Sequence, residues 1–314
     1  MPARRWSTRG FALLVLGMAA APPSGACPLE RTGGWGGFGS AAGQFNFAHH
    51  LAVDPANGNV YVGDLLNHRV QVFDPDGGFL GAWQRQGTDG VAVGPNGRVY
   101  VVGNNLVTEH TSTGTELTVW GGGGTTPGSF NFAIDIAVDA QGFVYVADWM
   151  NHRVQKFTGT GAFETLWHTS DHGPISVSIA PGGEVYTTDL TANLVEVWSA
   201  SGDFIRSWGT FGSGEGQFDA PTKVAFDRAG NVVVSDAGNG RVQVFTPTGD
   251  FLCTWGSEGS GSEHLLHPTA VGTYQDRVYV MDKDNHRVVR LESPPTSVVP
   301  KSWSMVKDGY RATR

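Results

Sequence analysis

The sequence has little charge, few cysteines and no apolar run long enough to cross a bilayer comfortably. Charged residues make up only 16% of its 314 residues, and aromatic residues make up 11%. Disordered chains show the opposite balance, so this composition predicts a folded protein. Lys, Glu and Leu are too sparse for a coiled coil. The formal net charge of −8 argues against a protein that binds nucleic acid through phosphate contacts.

Cysteine is almost absent, with only Cys27 and Cys253 present. Two cysteines exclude a disulfide framework. They still allow one disulfide bond, but that bond needs a specific separation of the two residues, which a sequence does not provide. The expectation is therefore two unpaired thiols, or a Cys27 that carries a lipid anchor.

Residues 1–26 have the pattern of a signal peptide. Three arginines precede an apolar run at 11–21, and Ser24-Gly25-Ala26 supplies the small residues of a cleavage site. Cleavage after Ala26 predicts an exported protein that is periplasmic, secreted or on the outer surface, with no transmembrane segment in the mature chain. Ser24 stands where a lipobox has Leu, so plain secretion is favoured over lipid anchoring. The export route, Sec or Tat, stays open.

A repeated motif runs through the rest of the chain. Asp-x-x-Asn-x-Arg-Val begins at Asp64, Asp148, Asp236 and Asp282, and altered copies begin at Gly103 and Asp189. Each of the six units contains four short apolar segments separated by Gly, Asn and Asp, which are turn residues. Four short strands per repeat are typical of a propeller blade. The sequence thus predicts an all-β, six-bladed propeller of four-stranded antiparallel blades over 27–292, with a C-terminal tail at 293–314.

Tryptophan positions predict how the ring closes. The fourth strands of five units end in Trp83, Trp120, Trp167, Trp208 and Trp255, but the sixth unit has no such strand. Trp35 lies before the first unit. We therefore expect an N-terminal strand around Trp35 to pair in the last blade, which removes an open sheet edge.

These motifs resemble the NHL repeat family. The matching pattern runs from Gly43-Gln44-Phe45 to Phe73 and again from Gly216-Gln217-Phe218 to Phe245. The resemblance implies a six-bladed propeller but leaves the function open, because one fold hosts many activities. Family members include sensor domains of bacterial kinases, substrate-binding ends of ubiquitin ligases, RNA-binding regulators and the lyase half of the peptide-amidating enzyme.

The repeated motif itself is interpreted as structural. We expect its Asp and Asn to cap the turn between the second and third strands, and its Arg to pair with an Asp across the contact between blades. The starts of the first strands offer a different, non-repeated set of polar residues at the channel mouth, where a ligand pocket is expected. A water-filled channel is the alternative reading of this set, which comprises His49, His50, Asp89, Asp135, Ser176 and Lys223.

The resemblance to the amidating lyase implies an enzyme as the alternative function. His49 is the only match to a zinc-binding position of that lyase, and Asp89 would be a second ligand, but a third is missing. No cofactor is predicted, although zinc or calcium stays possible.

Two turns carry apolar pairs where small or polar residues are usual in the family. An exposed apolar pair suggests a binding anchor, unless one of its residues tucks under a neighbouring loop; these turn-tip residues are Leu65, Leu66, Trp149 and Met150. The sequence therefore favours a non-enzymatic, exported platform that binds an extracytoplasmic protein, peptide or glycan, with no nucleic acid. A metal-assisted lyase or hydrolase at the channel mouth is the alternative.

Overall fold

The computed structural model describes residues 27–293, which form six four-stranded antiparallel sheets. The predicted signal peptide, 1–26, and residues 294–314 of the predicted tail lie outside the described residues. Within the described part, no helix combines the length and hydropathy needed to cross a membrane. The first strand of each blade contacts the first strands of both neighbouring blades, so the six sheets surround a central axis and the ring is complete.

The strands alternate with tight turns along the whole described chain. The first strand, β1 (Glu30–Gly36), precedes blade 1. Blade 1 contains β2 (Ala48–Val53), β3 (Val60–Asp64), β4 (Arg69–Phe73) and β5 (Phe79–Gln84). Blade 2 contains β6 (Gly90–Val93), β7 (Val99–Gly103), β8 (Leu106–His110) and β9 (Glu116–Gly121). Blade 3 contains β10 (Ala133–Val138), β11 (Val144–Asp148), β12 (Arg153–Phe157) and β13 (Phe163–His168).

The second half of the ring repeats this order. Blade 4 contains β14 (Ser176–Ile179), β15 (Val185–Asp189), β16 (Leu194–Trp198) and β17 (Phe204–Trp208). Blade 5 contains β18 (Pro221–Phe226), β19 (Val232–Asp236), β20 (Arg241–Phe245) and β21 (Phe251–Trp255). Blade 6 contains β22 (Pro268–Tyr274), β23 (Arg277–Asp282) and β24 (Arg287–Glu292), with β1 as its outer strand.

Ring closure follows the prediction from the tryptophans. Strand β1 pairs antiparallel with β24, and Trp35 lies opposite Val288. The Trp35 ring packs 5.4 Å from the Phe73 ring of blade 1 and 6.1 Å from the Tyr279 ring of blade 6. The same contact recurs inside the ring, because Trp120 packs against Phe157 of the next blade at 6.2 Å. Trp35 therefore joins the last blade to the first.

The repeated motif holds the turns together through hydrogen bonds between its side chains, although its Asp makes no capping hydrogen bond to the backbone of the turn. Asp148 Oδ2 accepts hydrogen bonds from Asn151 at 2.8 Å, from Arg153 at 2.7 Å and from Gln155 at 3.0 Å. The expectation that the Arg pairs across the blade contact is wrong, because Arg153 pairs with the Asp of its own motif. Its remaining N–H groups donate to backbone carbonyls of the preceding loop, including that of Ser129. The Arg thus anchors the connection between blades.

The two cysteines form a disulfide bond, so the expectation of unpaired thiols is wrong. Cys27 and Cys253 are separated by 226 residues along the chain, and their Cα atoms lie 4.9 Å apart. They meet because β1 brings the N-terminal segment beside β21, the outer strand of blade 5. A lipid on Cys27 would use the same sulfur atom, so this bond also argues against the lipid anchor.

Candidate functional site

Three buried polar side chains from alternate blades meet on the axis; we call them the axial cluster. His50 comes from blade 1, Asp135 from blade 3 and Lys223 from blade 5. Lys223 Nζ donates to Asp135 Oδ2 and, at 2.9 Å, to the carbonyl of Val177. His50 Nδ1 lies 3.4 Å from Asp135 Oδ1. The charges of Lys223 and Asp135 are therefore largely balanced inside the channel.

Small residues of the other blades make room for this cluster. The equivalent positions in blades 2, 4 and 6 are Gly90, Ser176 and Ala270. Ser176 is buried and forms a 2.7 Å hydrogen bond with Thr188. A cavity of about 620 Å³ opens on the opposite face, lined mainly by apolar residues of the first strands, and reaches Lys223. The axial cluster thus separates that cavity from the channel mouth.

Only two of the six predicted mouth residues, His49 and Asp89, reach the surface there. His49 Nε2 lies 4.0 Å from Asp89 Oδ1, and their side chains are 17% and 20% exposed. Burial lowers the pKa of His49 to about 3, and the neighbouring His50 contributes to this shift. Burial also lowers the pKa of His50 to about 3, with a further contribution from the charge of Lys223. Both imidazoles are consequently neutral at physiological pH.

The side chains that could donate to a metal ion at the mouth are few. The described residues contain no group of three His, Cys, Asp or Glu side chains arranged to hold a metal ion. Burial raises the pKa of Asp135 while the Lys223 ammonium opposes this shift, and one carboxylate oxygen is already bound by Lys223. The pair of His49 and Asp89 supplies two donors where a catalytic zinc site uses three protein ligands.

A groove lies above blade 2, on the face formed by the turns between second and third strands; we call it the blade-2 groove. It exists because the turn between β7 and β8 contains only Asn104 and Asn105, which both adopt left-handed φ, at 54° and 59°. The lower turn leaves a cavity of about 450 Å³ between the turns of its neighbours. The groove is lined by residues of both predicted sets: Asp89 from the channel mouth, and Leu65 and Leu66 from the turn tips. Asn104, Asn105 and Phe132 also line it.

In each turn-tip pair, one residue is half-buried and the other is exposed. Leu65 and Trp149 are half-buried, whereas Leu66 and Met150 are 55% and 49% exposed. The Trp149 indole N–H donates to the carbonyl of His172 at 3.1 Å, so one residue of this pair does tuck against a neighbouring loop. Leu66 and Met150 are therefore the side chains of the two pairs that project outwards.

Exposed phenylalanines on the same face were missed by the sequence reasoning. Phe47 and Phe132 immediately precede the first strands of blades 1 and 3 and are 42% and 49% exposed. The Phe132 ring packs edge-on against Trp149, 5.5 Å away. Their signal was the repeated Asn-Phe-Ala triplet, which blade 5 replaces with Asp219-Ala220-Pro221. The exposure of the phenylalanine in this triplet depends on its left-handed backbone conformation, which the sequence alone did not reveal.

The alternate blades 1, 3 and 5 match the NHL repeat family model, at residues 45–73, 130–157 and 218–245. This chain carries NHL repeats. The NHL propeller is 39% identical over 69 residues to human NHL repeat-containing protein 3, covering 20% of each chain. It is 29% identical over 123 residues to the human E3 ubiquitin-protein ligase TRIM32, which covers 31% of this chain and 19% of the ligase. The matched part thus spans about a fifth of the length of each relative.

Solved structures share the fold of this NHL propeller at low sequence identity. A Bacteroides thetaiotaomicron protein of unknown function superposes with a TM-score of 0.66 and 14% identity, covering 84% of this chain and 75% of that one. A streptogramin B lyase superposes with a TM-score of 0.59 and 12% identity, covering 84% and 97%. At such identities the likeness supports a common fold and leaves the activity open.

Proposed function

We propose that this NHL propeller is an exported, non-enzymatic binding platform that holds a segment of a protein or peptide in the blade-2 groove. The observation that carries the proposal is a concave lining that combines exposed apolar side chains with polar ones. Leu66 and Phe132 are exposed and line the groove, and Asp89 and Asn104 line the same groove. Concave apolar sites with a few converging polar groups are typical ligand sites. A glycan is the alternative ligand.

The chemistry of the mouth supports binding over catalysis. Its two histidines are neutral, and the buried Lys223 is already bonded to a carboxylate. A streptogramin B lyase has a similar fold. The side chains at the mouth of this propeller do not favour a lyase reaction, because they offer few free acid, base or metal-binding groups. The blade-2 groove, in contrast, needs no reactive group to act as a binding site.

Export is supported by the disulfide and by the pattern of residues 1–26. Disulfide bonds persist in oxidising compartments such as the periplasm and the extracellular space, and are rare in the cytosol. The bond between Cys27 and Cys253 joins two blades of the ring. We therefore place the binding platform outside the cytoplasm.

Leu66→Asp should weaken peptide binding at least tenfold without changing the melting temperature. The new carboxylate would be placed against the apolar part of the ligand, where a well-packed anchor residue is commonly worth about 2 kcal/mol or more. The probe is the set of peptides recovered from a random dodecapeptide phage library selected on the wild-type propeller. Affinity is measured by titration calorimetry with the synthesised peptides.

Leu80→Asp is the matched control, because Leu80 is also 55% exposed but lies on the outer strand β5. This variant should bind the peptides as the wild type does. Equal affinities for wild type and Leu66→Asp would place the site elsewhere. Recovery of no peptide, together with capture of oligosaccharides on a glycan array, would favour the glycan instead.

A further inference from the structure

Two phenylalanines of this face occupy a backbone conformation that suits glycine better. Phe47 has φ 57° and Phe132 has φ 59°, and both lie in the left-handed region. A residue with a Cβ atom is strained there, and a bulky residue is an outlier. Ala220 of blade 5 and His267 of blade 6 occupy the equivalent position with φ 52°. The fold itself therefore requires this backbone conformation but not an aromatic side chain.

Each ring packs against neighbouring side chains and is still partly exposed to solvent. The Phe47 ring packs 5.6 Å from the His49 ring, and Lys283 Nζ lies 4.9 Å from its centre. The Phe132 ring rests on Trp149. Both the strain and the exposure of an aromatic ring are unfavourable in the free protein, and such features concentrate at functional sites.

An acidic group, Asp89, lies near both rings: it lines the blade-2 groove together with Phe132, and it approaches His49, which packs on Phe47. His49 Nε2 lies 4.0 Å from Asp89 Oδ1. The guanidinium of Arg85, a nearby cation, donates Nε–H to Thr108 Oγ1 at 3.0 Å. Within residues 27–293, His49 is the one basic side chain within 4.0 Å of the Asp89 carboxylate.

The overall charge of the described chain has the same sign as this carboxylate. Residues 27–293 contain 14 Lys and Arg against 28 Asp and Glu, a net charge of −14. An acidic protein attracts and orients cationic partners. Charge complementarity therefore favours a positively charged ligand over a negatively charged one.

We infer that Phe47 and Phe132 are recognition residues, and that the ligand is a peptide segment that carries an apolar side chain next to a cationic group. The apolar side chain packs between Leu66 and Phe132, and the cationic group faces Asp89. This inference rests on the proposed function and specifies its ligand.

Glycine substitutions test the inference, because they relieve backbone strain and remove the ring at once. Phe47→Gly and Phe132→Gly should each weaken binding at least tenfold, while the melting temperature stays within about 2 °C of the wild type, since strain relief offsets the added flexibility of the unfolded chain. Ala220→Gly makes the same backbone change in blade 5 and should leave binding unchanged.

The probe is an array of octapeptides in which Leu, Phe or Met stands beside Lys, beside Asp or beside neither. Wild-type protein should retain the Lys peptides at least tenfold more strongly than the Asp peptides. Asp89→Asn should reduce this preference at least fivefold while binding to the uncharged apolar peptides persists.

The outcomes separate the inference from the proposed function. Binding that Leu66→Asp abolishes but both Phe→Gly variants retain would overturn the inference and leave the groove as the site. Equal retention of Lys and Asp peptides would overturn the cationic ligand. A melting temperature lowered by more than about 6 °C in either Phe→Gly variant would mark the ring as structural. Failure of wild-type protein to bind any array peptide would overturn both proposals.

Discussion

Deletion of residues 28–38 should lower the melting temperature by at least about 10 °C, because blade 6 loses its outer strand and its contact with blade 1. The deletion removes every pair between β1 and β24, and the Trp35 ring that packs on Phe73. Truncation of a fully buried Trp commonly costs about 3–5 kcal/mol, and Trp35, which is partly buried, should contribute a part of that amount. Strand β24 would also be left with an unpaired edge, which promotes association. Differential scanning calorimetry measures the shift.

Single substitutions identify the source of that loss. Trp35→Ala should reproduce a large part of the shift, whereas Phe38→Ala should have little effect, because Phe38 is an exposed aromatic only three residues away. A truncated protein that melts at the wild-type temperature would mean that the ring is held closed without β1.

Removal of the disulfide should lower the melting temperature by about 4–16 °C. The double variant Cys27→Ser with Cys253→Ser loses a cross-link between residues 226 positions apart. Closing so long a loop in the unfolded chain typically stabilises a protein by about 2–4 kcal/mol, and each kcal/mol shifts the melting temperature by about 2–4 °C at this size. The change should be visible by circular dichroism.

Reduction provides the control for this variant. Dithiothreitol should lower the melting temperature of the wild type to that of the double variant and should leave the double variant unaffected. Two titratable thiols in the unreduced, denatured wild type would contradict the disulfide, as would a melting curve that dithiothreitol does not change.

The fold was predictable because the repeat carries its own turn chemistry. Asp148 and Asn151 mark the end of one strand and the turn after it, and the structure places their side chains there. The count of six followed from the copies of the motif, and the closing role of Trp35 followed from the tryptophans that end the fourth strands. The partner of Arg153 was not predictable, because one charged side chain can reach either its own motif or the next blade. The disulfide depended in the same way on how two distant outer strands meet.

The candidate site was only partly predictable. The apolar residues of the turn tips stood out against the polar residues usual there, and Leu66 and Met150 are indeed exposed; their binding role stays a prediction. The shortened turn of blade 2 was visible in the sequence, but the groove above it becomes evident only when Leu66, Asp89 and Phe132 are found to line one cavity. The burial of Lys223 could not be predicted, because it depends on how far a long side chain reaches across the axis to Asp135.

Photo-cross-linking from position 66 tests the central claim most directly. Benzoylphenylalanine replaces Leu66 in one variant and Leu80 in another. Each variant is irradiated with a peptide that was selected on the wild-type propeller and contains Leu beside Lys. We predict a covalent adduct from position 66, suppressed by excess unlabelled peptide, and none from position 80. Adducts of equal yield from both positions, or from position 80 alone, would contradict a ligand site in the blade-2 groove.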